Sequence, residues 1–156
     1  MVTDEWTVEK ALRMGITLEQ GAIDLYSGTA ENVEDPGSKQ LLLELAEDEK
    51  KHKKFFQRAL EDPKKVERFG GLSRKIEDLQ ITDRLVEESL SPNSRYQDML
   101  IFAAQSEQKA HDFYTALAEQ FKDHPLGEMW ERFAEEELRH KVRLEEEYDD
   151  VVLREN

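Results

Sequence analysis

The sequence contains no cysteine. Disulfide bonds, thiolate catalysis, zinc ribbons and iron–sulfur clusters are therefore excluded within these 156 residues, because each of them needs cysteine sulfur. No stretch approaches the ~20 consecutive apolar residues that a membrane-spanning helix needs. The acidic N-terminal residues are not followed by an apolar run, so they do not match a secretory signal. We therefore expect a cytoplasmic protein without a membrane partner.

Cationic side chains are fewer than anionic ones: the chain has 22 Lys and Arg and 36 Asp and Glu, which gives a formal net charge of −14 at pH 7. This excess argues against nucleic acids and anionic membranes as partners, because both are polyanionic. Apolar residues make up 38% of the chain and charged residues 37%. That balance is typical of amphipathic helices with charged outer faces. The length predicts one domain, residues 1–156, around one core.

Glycine and proline are few, at seven and four, and they fall in clusters that mark helix connections. Between the clusters, apolar periodicity predicts helices at about 6–33, 39–60, 91–121 and 126–151. The third helix is predicted to start at Ser91 and Pro92, because serine is a good N-cap and proline suits the first helical position. Short links predict two antiparallel hairpins, whereas the long connection 62–91, with a possible short helix at 82–90, can cross the whole bundle.

Two segments recur at one offset along the chain. The segment 19–26, EQGAIDLY, aligns with 107–114, EQKAHDFY, and 45–52, LAEDEKKH, aligns with 133–140, FAEEELRH. Both alignments have an offset of 88 residues, as from 19 to 107 and from 49 to 137. The chain is therefore predicted to form two helical hairpins related by a pseudo-two-fold axis. A site on that axis would receive the same ligands from each half.

Each predicted helix carries one apolar stripe, because residues seven apart lie on nearly the same side of a helix. The middle of every stripe holds a glutamate, and two stripes add a histidine three positions later. These residues are Glu19, Glu49, His52, Glu107, Glu137 and His140. Four ionised carboxylates in a core repel one another and are costly to bury. Two divalent cations would balance their charge, so the pattern predicts a two-metal centre with these six ligands.

Each Glu-x-x-His motif places both of its side chains on one helical face. Glu49 and His52 are therefore predicted to bind one ion, and Glu137 and His140 the other. The two lone glutamates would either complete the two sites or bridge them. Carboxylate and imidazole ligands suit iron or manganese, and geometry alone also admits zinc.

Five further residues lie close to these ligands in the sequence. Asp48 and Glu136 each precede a ligand histidine by four positions, and they either accept a hydrogen bond from its outer ring nitrogen or point to solvent. Tyr26 and Tyr114 each follow a lone glutamate by seven positions. They donate hydrogen bonds to ligand glutamates, quench a radical, or are core aromatics with a polar tip. His111 is expected to be a partly buried structural histidine rather than a seventh ligand or a proton relay.

With these motifs the sequence resembles the rubrerythrin branch of the ferritin-like di-iron carboxylate proteins across all four helices. The resemblance rests on the two Glu-x-x-His motifs, the two lone glutamates and the tyrosine seven residues after each of them. It implies an all-α, ferritin-like four-helix bundle with one long crossover between helices 2 and 3. It also implies two iron ions per chain, hydrogen peroxide or dioxygen as the oxidant, and an external electron donor protein.

The chain departs from the rubrerythrin pattern in two ways. Rubrerythrins carry a second glutamate one turn after the lone glutamate of the third helix, where this sequence has Ala110. They also usually carry a rubredoxin domain that supplies electrons, and a chain without cysteine cannot form one. The resemblance thus implies a simpler and more symmetric version of the site.

Three functions stay open at the level of the sequence. The first is a di-iron oxidoreductase of the peroxidase or oxidase type. The second is an iron-handling protein that acts as a ferroxidase, buffer or carrier. The third is an interaction module that the metal only stabilises. A homodimer is expected because it is the commonest assembly of such proteins.

Overall fold

The computed structural model of the chain describes residues 6–62, 64, 75, 95–122 and 125–155. These residues form four helices: α1 (Val8–Asn32), α2 (Pro36–Glu61), α3 (Tyr96–Gln120) and α4 (Pro125–Glu155). The only β pairing within the described ranges is an isolated antiparallel bridge between Thr7 and Lys75. The predicted all-α four-helix bundle is therefore confirmed. None of the helices in these ranges is long and apolar enough to cross a membrane.

The first two helices begin at side-chain caps. The hydroxyl of Thr7 accepts a hydrogen bond from the backbone N–H of Lys10 at 3.1 Å, and the carboxylate of Asp35 accepts one from that of Ser38 at 2.9 Å. Pro36 follows Asp35 as the first helical residue, where its missing N–H is not needed. α2 thus begins three residues before the predicted 39, and α4 ends four residues after the predicted 151.

Among the described residues α3 begins at Tyr96, and Ser91 and Pro92, where its start was predicted, lie outside the described residues. Arg95 has an extended backbone, with φ −71° and ψ 159°, and its carbonyl accepts the first helical hydrogen bond, from Met99, at 3.0 Å. Met99 is also the first buried side chain of the helix. Tertiary burial thus stabilises the first turn of this helix. The predicted short helix at 82–90 lies outside the described residues.

The helices form two antiparallel hairpins, α1 with α2 and α3 with α4. Hydrogen bonds from Tyr26 to Glu107 and from Tyr114 to Glu19 show that α1 and α3 also run antiparallel. It follows that α2 and α3 point in the same direction. Of the segment that joins them, the described residues are only Asp62, Lys64, Lys75 and Arg95. Its predicted route across the bundle stays a prediction.

Two apolar clusters fill the bundle, one toward each end. One of them contains Trp6, Phe56, Phe113, Tyr114 and Trp130, and the other contains Tyr26, Leu42, Leu45, Leu100 and Leu144. Burying one such side chain contributes roughly 1.5–3 kcal/mol to folding. A layer of buried glutamates and histidines lies between the clusters. The apolar clusters therefore provide the stabilisation that holds these polar groups away from water.

Candidate metal centre

All six predicted ligand residues are buried at mid-height in the bundle. Their exposed fractions run from 0% for Glu137 to 4% for His140. α1 and α3 each contribute one glutamate, and α2 and α4 each contribute a glutamate and the histidine three positions later. Glutamate is almost never fully buried without a partner, so four of them in one layer indicate a site with a charge to balance them.

The six side chains form two overlapping groups in which one ligand atom of each residue lies within 4.8 Å of the others. The groups are Glu19, Glu49, His52 and Glu137, and Glu49, Glu107, Glu137 and His140. Glu49 and Glu137 belong to both groups, whereas each lone glutamate belongs to one. This arrangement favours the carboxylates of the Glu-x-x-His motifs as the shared ligands and the lone glutamates as the terminal ones.

The histidine Nδ1 atoms face the centre of the layer. Nδ1 of His52 lies 2.8 Å from Oε1 of Glu137 but 3.7 Å from Oε1 of its own motif partner, Glu49. Nδ1 of His140 lies 3.1 Å from Oε1 of Glu49 and 3.9 Å from Oε2 of Glu137. Each histidine thus lies closest to the carboxylate of the other motif. Each predicted Glu–His pair lies within one of the two ligand groups, and the binding of one ion by each pair stays a prediction.

Seven atoms of this layer are buried and have no hydrogen-bond partner among the described residues. They are Oε2 of Glu19, Oε1 of Glu49, Nδ1 of His52, Oε2 of Glu107, both carboxylate oxygens of Glu137 and Nδ1 of His140. A buried polar atom without a partner costs about 1–3 kcal/mol, and native structures hold few of them. Oxygen and imidazole nitrogen atoms that converge in this way are a donor set that fits two divalent cations.

The carboxyl groups at the centre resist ionisation when no metal is bound. Burial is the largest cause that raises the pKa of Glu49 and of Glu137 well above the usual carboxyl range. The negative charges of Glu107 and Glu19 raise both pKa values further. Burial lowers the pKa of His140, but the nearby carboxylates of Glu107 and Glu49 outweigh it and raise that pKa to about 11. Protons therefore occupy the metal-free site and must leave when a cation binds.

The outer nitrogens of the histidines are held by carboxylates of the opposite helix. Nε2 of His52 makes a hydrogen bond to Glu136 of α4, and Nε2 of His140 makes one to Asp48 of α2 at 3.1 Å. The residue directly before a ligand glutamate is turned by about 100° around the helix, so it reaches the neighbouring helix rather than its own histidine. A proton on Nε2 leaves the Nδ1 lone pair directed at the centre.

The two tyrosines bind the lone glutamates across the bundle. Tyr26 donates a hydrogen bond to Oε1 of Glu107, and Tyr114 donates one to Oε1 of Glu19. Burial is the main cause that raises the pKa of both tyrosines, so their hydroxyls stay protonated as donors. Among the residues that the structure describes, Oε2 of each lone glutamate has no hydrogen-bond partner. The tyrosines thus fix one oxygen of each terminal carboxylate and leave the second one for a metal.

The contacts of this layer come in pairs. The bonds of Tyr26 and Tyr114 to the lone glutamates correspond under the offset of 88 residues, as do the bonds of His52 and His140 to the outer carboxylates. Lys141 donates a hydrogen bond to Gln108 at 3.0 Å. In the first half, Lys53 donates the corresponding hydrogen bond to Gln20. The two hairpins therefore present equivalent sets of side chains to the centre.

Two aromatic neighbours complete the surroundings of the site. His111 belongs to neither ligand group, and its Nδ1 lies 2.8 Å from the carbonyl oxygen of Ala134, so it links α3 to α4. The ring centroid of Phe133 lies 4.4 Å from that of His52. The position of Phe133 seven residues before His140 was the available signal, because such residues share a helical face.

Comparison with known proteins gives the family of the chain. A sequence model of the Rubrerythrin family matches residues 10–90 and 98–156. A proposed ferritin-like diiron-carboxylate protein of Thermotoga maritima has a similar structure, with a TM-score of 0.70 over 96% of this chain and 99% of that chain. At 17% sequence identity this likeness shows the fold alone. No curated protein matches the sequence. The family match spans most of the four helices, and the chain therefore belongs to the rubrerythrin family.

Proposed function

We propose that the protein holds two iron ions in the layer between its apolar clusters and reduces hydrogen peroxide or dioxygen there. The observation that carries this proposal is the convergence of seven unpartnered buried atoms from four glutamates and two histidines. When bound, the ions would supply Lewis acidity and, as two ferrous centres, the two electrons that convert one hydrogen peroxide and two protons to two waters. An external donor protein would restore the electrons.

The residues of the chain have distinct parts in this function. One ion would be held by Glu19, Glu49, His52 and Glu137, and the other by Glu49, Glu107, Glu137 and His140. The outer carboxylates keep both imidazoles in the tautomer that binds metal through Nδ1. The tyrosines keep the terminal carboxylates in place, and the apolar clusters on both sides limit the access of water.

The proposal is tested with protein that is purified without a metal-binding tag and loaded anaerobically with ferrous iron. We expect about two iron ions per chain, and consumption of hydrogen peroxide or dioxygen when an electron donor is added. The double variant Glu49→Ala, Glu137→Ala should lose both, because it removes the two carboxylates that both ligand groups share. The matched control is Glu47→Ala, Glu135→Ala, which changes exposed glutamates at the corresponding offset.

The results separate the competing functions. The proposal is supported if the wild type binds two ions per chain and turns over one of the oxidants, and if the double variant does neither. The oxidant that is turned over is then identified as the substrate. Uptake of many ions per chain without turnover would instead indicate an iron-handling protein. A wild-type protein that takes up no metal but keeps its helical circular dichroism would overturn the proposal in favour of an interaction module.

A further inference from the structure

A groove of about 490 Å³ opens on the outer side of α2 and α4, beside the outer edges of His52 and His140. Small-molecule sites in proteins usually have volumes of roughly 300–1,000 Å³, so this groove is large enough for a ligand of moderate size. The inner edges of the two histidines belong to the candidate metal centre. The proposed metal centre does not account for the side chains that line the groove at their outer edges.

Four cationic side chains line this groove. They are Lys51, Arg132, Arg139 and Arg143. The whole chain carries a net charge of −14, and only 22 of its residues are Lys or Arg. A concentration of cations on one face therefore runs against the charge of the protein as a whole. It creates a local potential that attracts anions to this face.

Two of these cations are free to bind a ligand. Lys51 pairs with Asp48 of α2 at 3.9 Å, and Arg143 pairs with Glu44 of α2 at 2.6 Å. Arg132 and Arg139 are exposed and make no hydrogen bond or ion pair within the described part of the chain. A guanidinium presents its N–H donors in a planar fork that matches the oxygens of a phosphate. These two arginines are therefore the lining side chains best suited to a phosphate group.

The acidic side chains of the lining do not block this part. Glu136 and Asp48 are the carboxylates that hydrogen-bond the outer nitrogens of His52 and His140. Glu136 lies between the two arginines in sequence, four residues after Arg132, but its carboxylate is directed at the histidine ring. An anion that enters from solvent therefore meets the guanidinium groups at the rim rather than a free carboxylate.

Two aromatic rings form the apolar part of the same groove. Phe55 and Phe133 are half-buried, and their rings meet edge to face with centroids 5.5 Å apart. Aromatic surfaces of this kind favour the packing of another planar ring. An inorganic phosphate ion would use only the arginines, whereas a molecule with both a ring and a phosphate would use the whole groove.

We propose that this groove binds a planar aromatic molecule that carries a phosphate group. The ring lies against Phe55 and Phe133, and the phosphate lies between Arg132 and Arg139. Binding at this place needs no metal in the centre, so it can be tested separately from the proposed redox function.

The test uses flavin mononucleotide and riboflavin, which share one ring system and differ by the phosphate. Each is titrated into the purified full chain and followed by flavin fluorescence. The double variant Arg132→Gln, Arg139→Gln removes the two guanidinium groups that have no partner in the described part of the chain. Its matched control, Arg13→Gln, Arg95→Gln, removes two exposed arginines outside the groove. All four arginines are exposed, so both variants should keep the helical circular dichroism of the wild type.

We expect the wild type to bind flavin mononucleotide about tenfold more tightly than riboflavin, because only the former makes charge-assisted hydrogen bonds to the arginines. The groove variant should lose this advantage, the control should keep it, and added salt should weaken it. The proposal is overturned if the two flavins bind equally or not at all, or if the groove variant binds like the wild type. Displacement by inorganic phosphate at equimolar concentration would also overturn it, since the ring would then contribute nothing.

Discussion

At the residue scale, the outer edges of the two histidines are tied to the opposite helices. Asp48 of α2 holds His140 of α4, and Glu136 of α4 holds His52 of α2. Each bond sets the tautomer of an imidazole and also links the two helices that carry the Glu-x-x-His motifs. These carboxylates therefore belong to the site although they lie outside both ligand groups.

We predict that the double variant Asp48→Asn, Glu136→Gln binds metal about 10–100-fold more weakly than the wild type, because an amide is a poorer acceptor for the outer nitrogen. Competition with a chelator of known affinity measures the change. The control Glu47→Gln, Glu135→Gln alters the exposed neighbours of the same helices. Equal affinities for the wild type and the double variant would show that these bonds do not tune the site.

The identity of the six candidate ligands could be predicted from the sequence, because polar residues in the middle of an apolar stripe are visible in one chain. Their division into shared and terminal groups could not, since it depends on the relative heights of α1, α2, α3 and α4. The partners of Asp48 and Glu136 were hidden for the same reason. A contact across two helices has no periodic signal in either of them.

At the element scale, the hairpin of α3 and α4 closes tightly around Gly127. A Cβ atom at this position would clash with the backbone carbonyl of Phe121, the C-cap residue of α3. Gly28 lies exposed in the middle of α1, where a Cβ atom would meet nothing within 4 Å. The fold therefore leaves no space for a side chain at Gly127 but has space for one at Gly28.

We predict that Gly127→Ala lowers the free energy of unfolding by about 1–3 kcal/mol, because the backbone that it meets cannot move aside cheaply. Gly28→Ala should raise that free energy by about 0.5–1 kcal/mol, since alanine is the better helix former and no clash opposes it. Urea denaturation followed by circular dichroism measures both. A Gly127→Ala protein as stable as the Gly28→Ala protein would contradict the tight turn.

Helix existence and hairpin pairing were also accessible from the sequence, whereas one helix boundary was not. Ser91 and Pro92, which have the local chemistry of a helix start, lie outside the described residues, and among those residues α3 begins at Tyr96. Met99 and Leu100, the first buried residues of α3, follow within one turn of that start. Which residues reach the core depends on the packing of α3 against α1 and α4, and a local motif does not contain that information.

At the scale of the whole molecule, the bundle consists of two apolar clusters with an ionisable layer between them. Without metal, this layer is compatible with folding only while it keeps its protons. The pKa values of Glu49, Glu137, His52 and His140 are all raised in the folded state. Such groups stabilise the fold below their unfolded pKa values, and this contribution is lost as the pH rises through the folded ones.

We therefore predict that the melting temperature of the metal-free protein falls as the pH rises from about 6.5 to 9, since the pKa of His140 increases from about 6.5 to about 11 on folding. Each kcal/mol lost lowers the melting temperature by about 2–4 °C in a chain of this size. The metal-loaded protein should not lose stability in this range, because a higher pH favours the deprotonated ligands. If the melting temperatures of both forms changed with pH by the same amount, this coupling would be contradicted.

The central claim is that four glutamates and two histidines of this rubrerythrin-family chain hold two metal ions. X-ray diffraction from crystals loaded anaerobically with ferrous iron, measured at the iron absorption edge, tests it most directly. The account predicts two anomalous peaks, one within each ligand group, and neither peak in crystals of Glu49→Ala, Glu137→Ala. The absence of anomalous signal between the helices of the wild type, or a peak only at the protein surface, would contradict it.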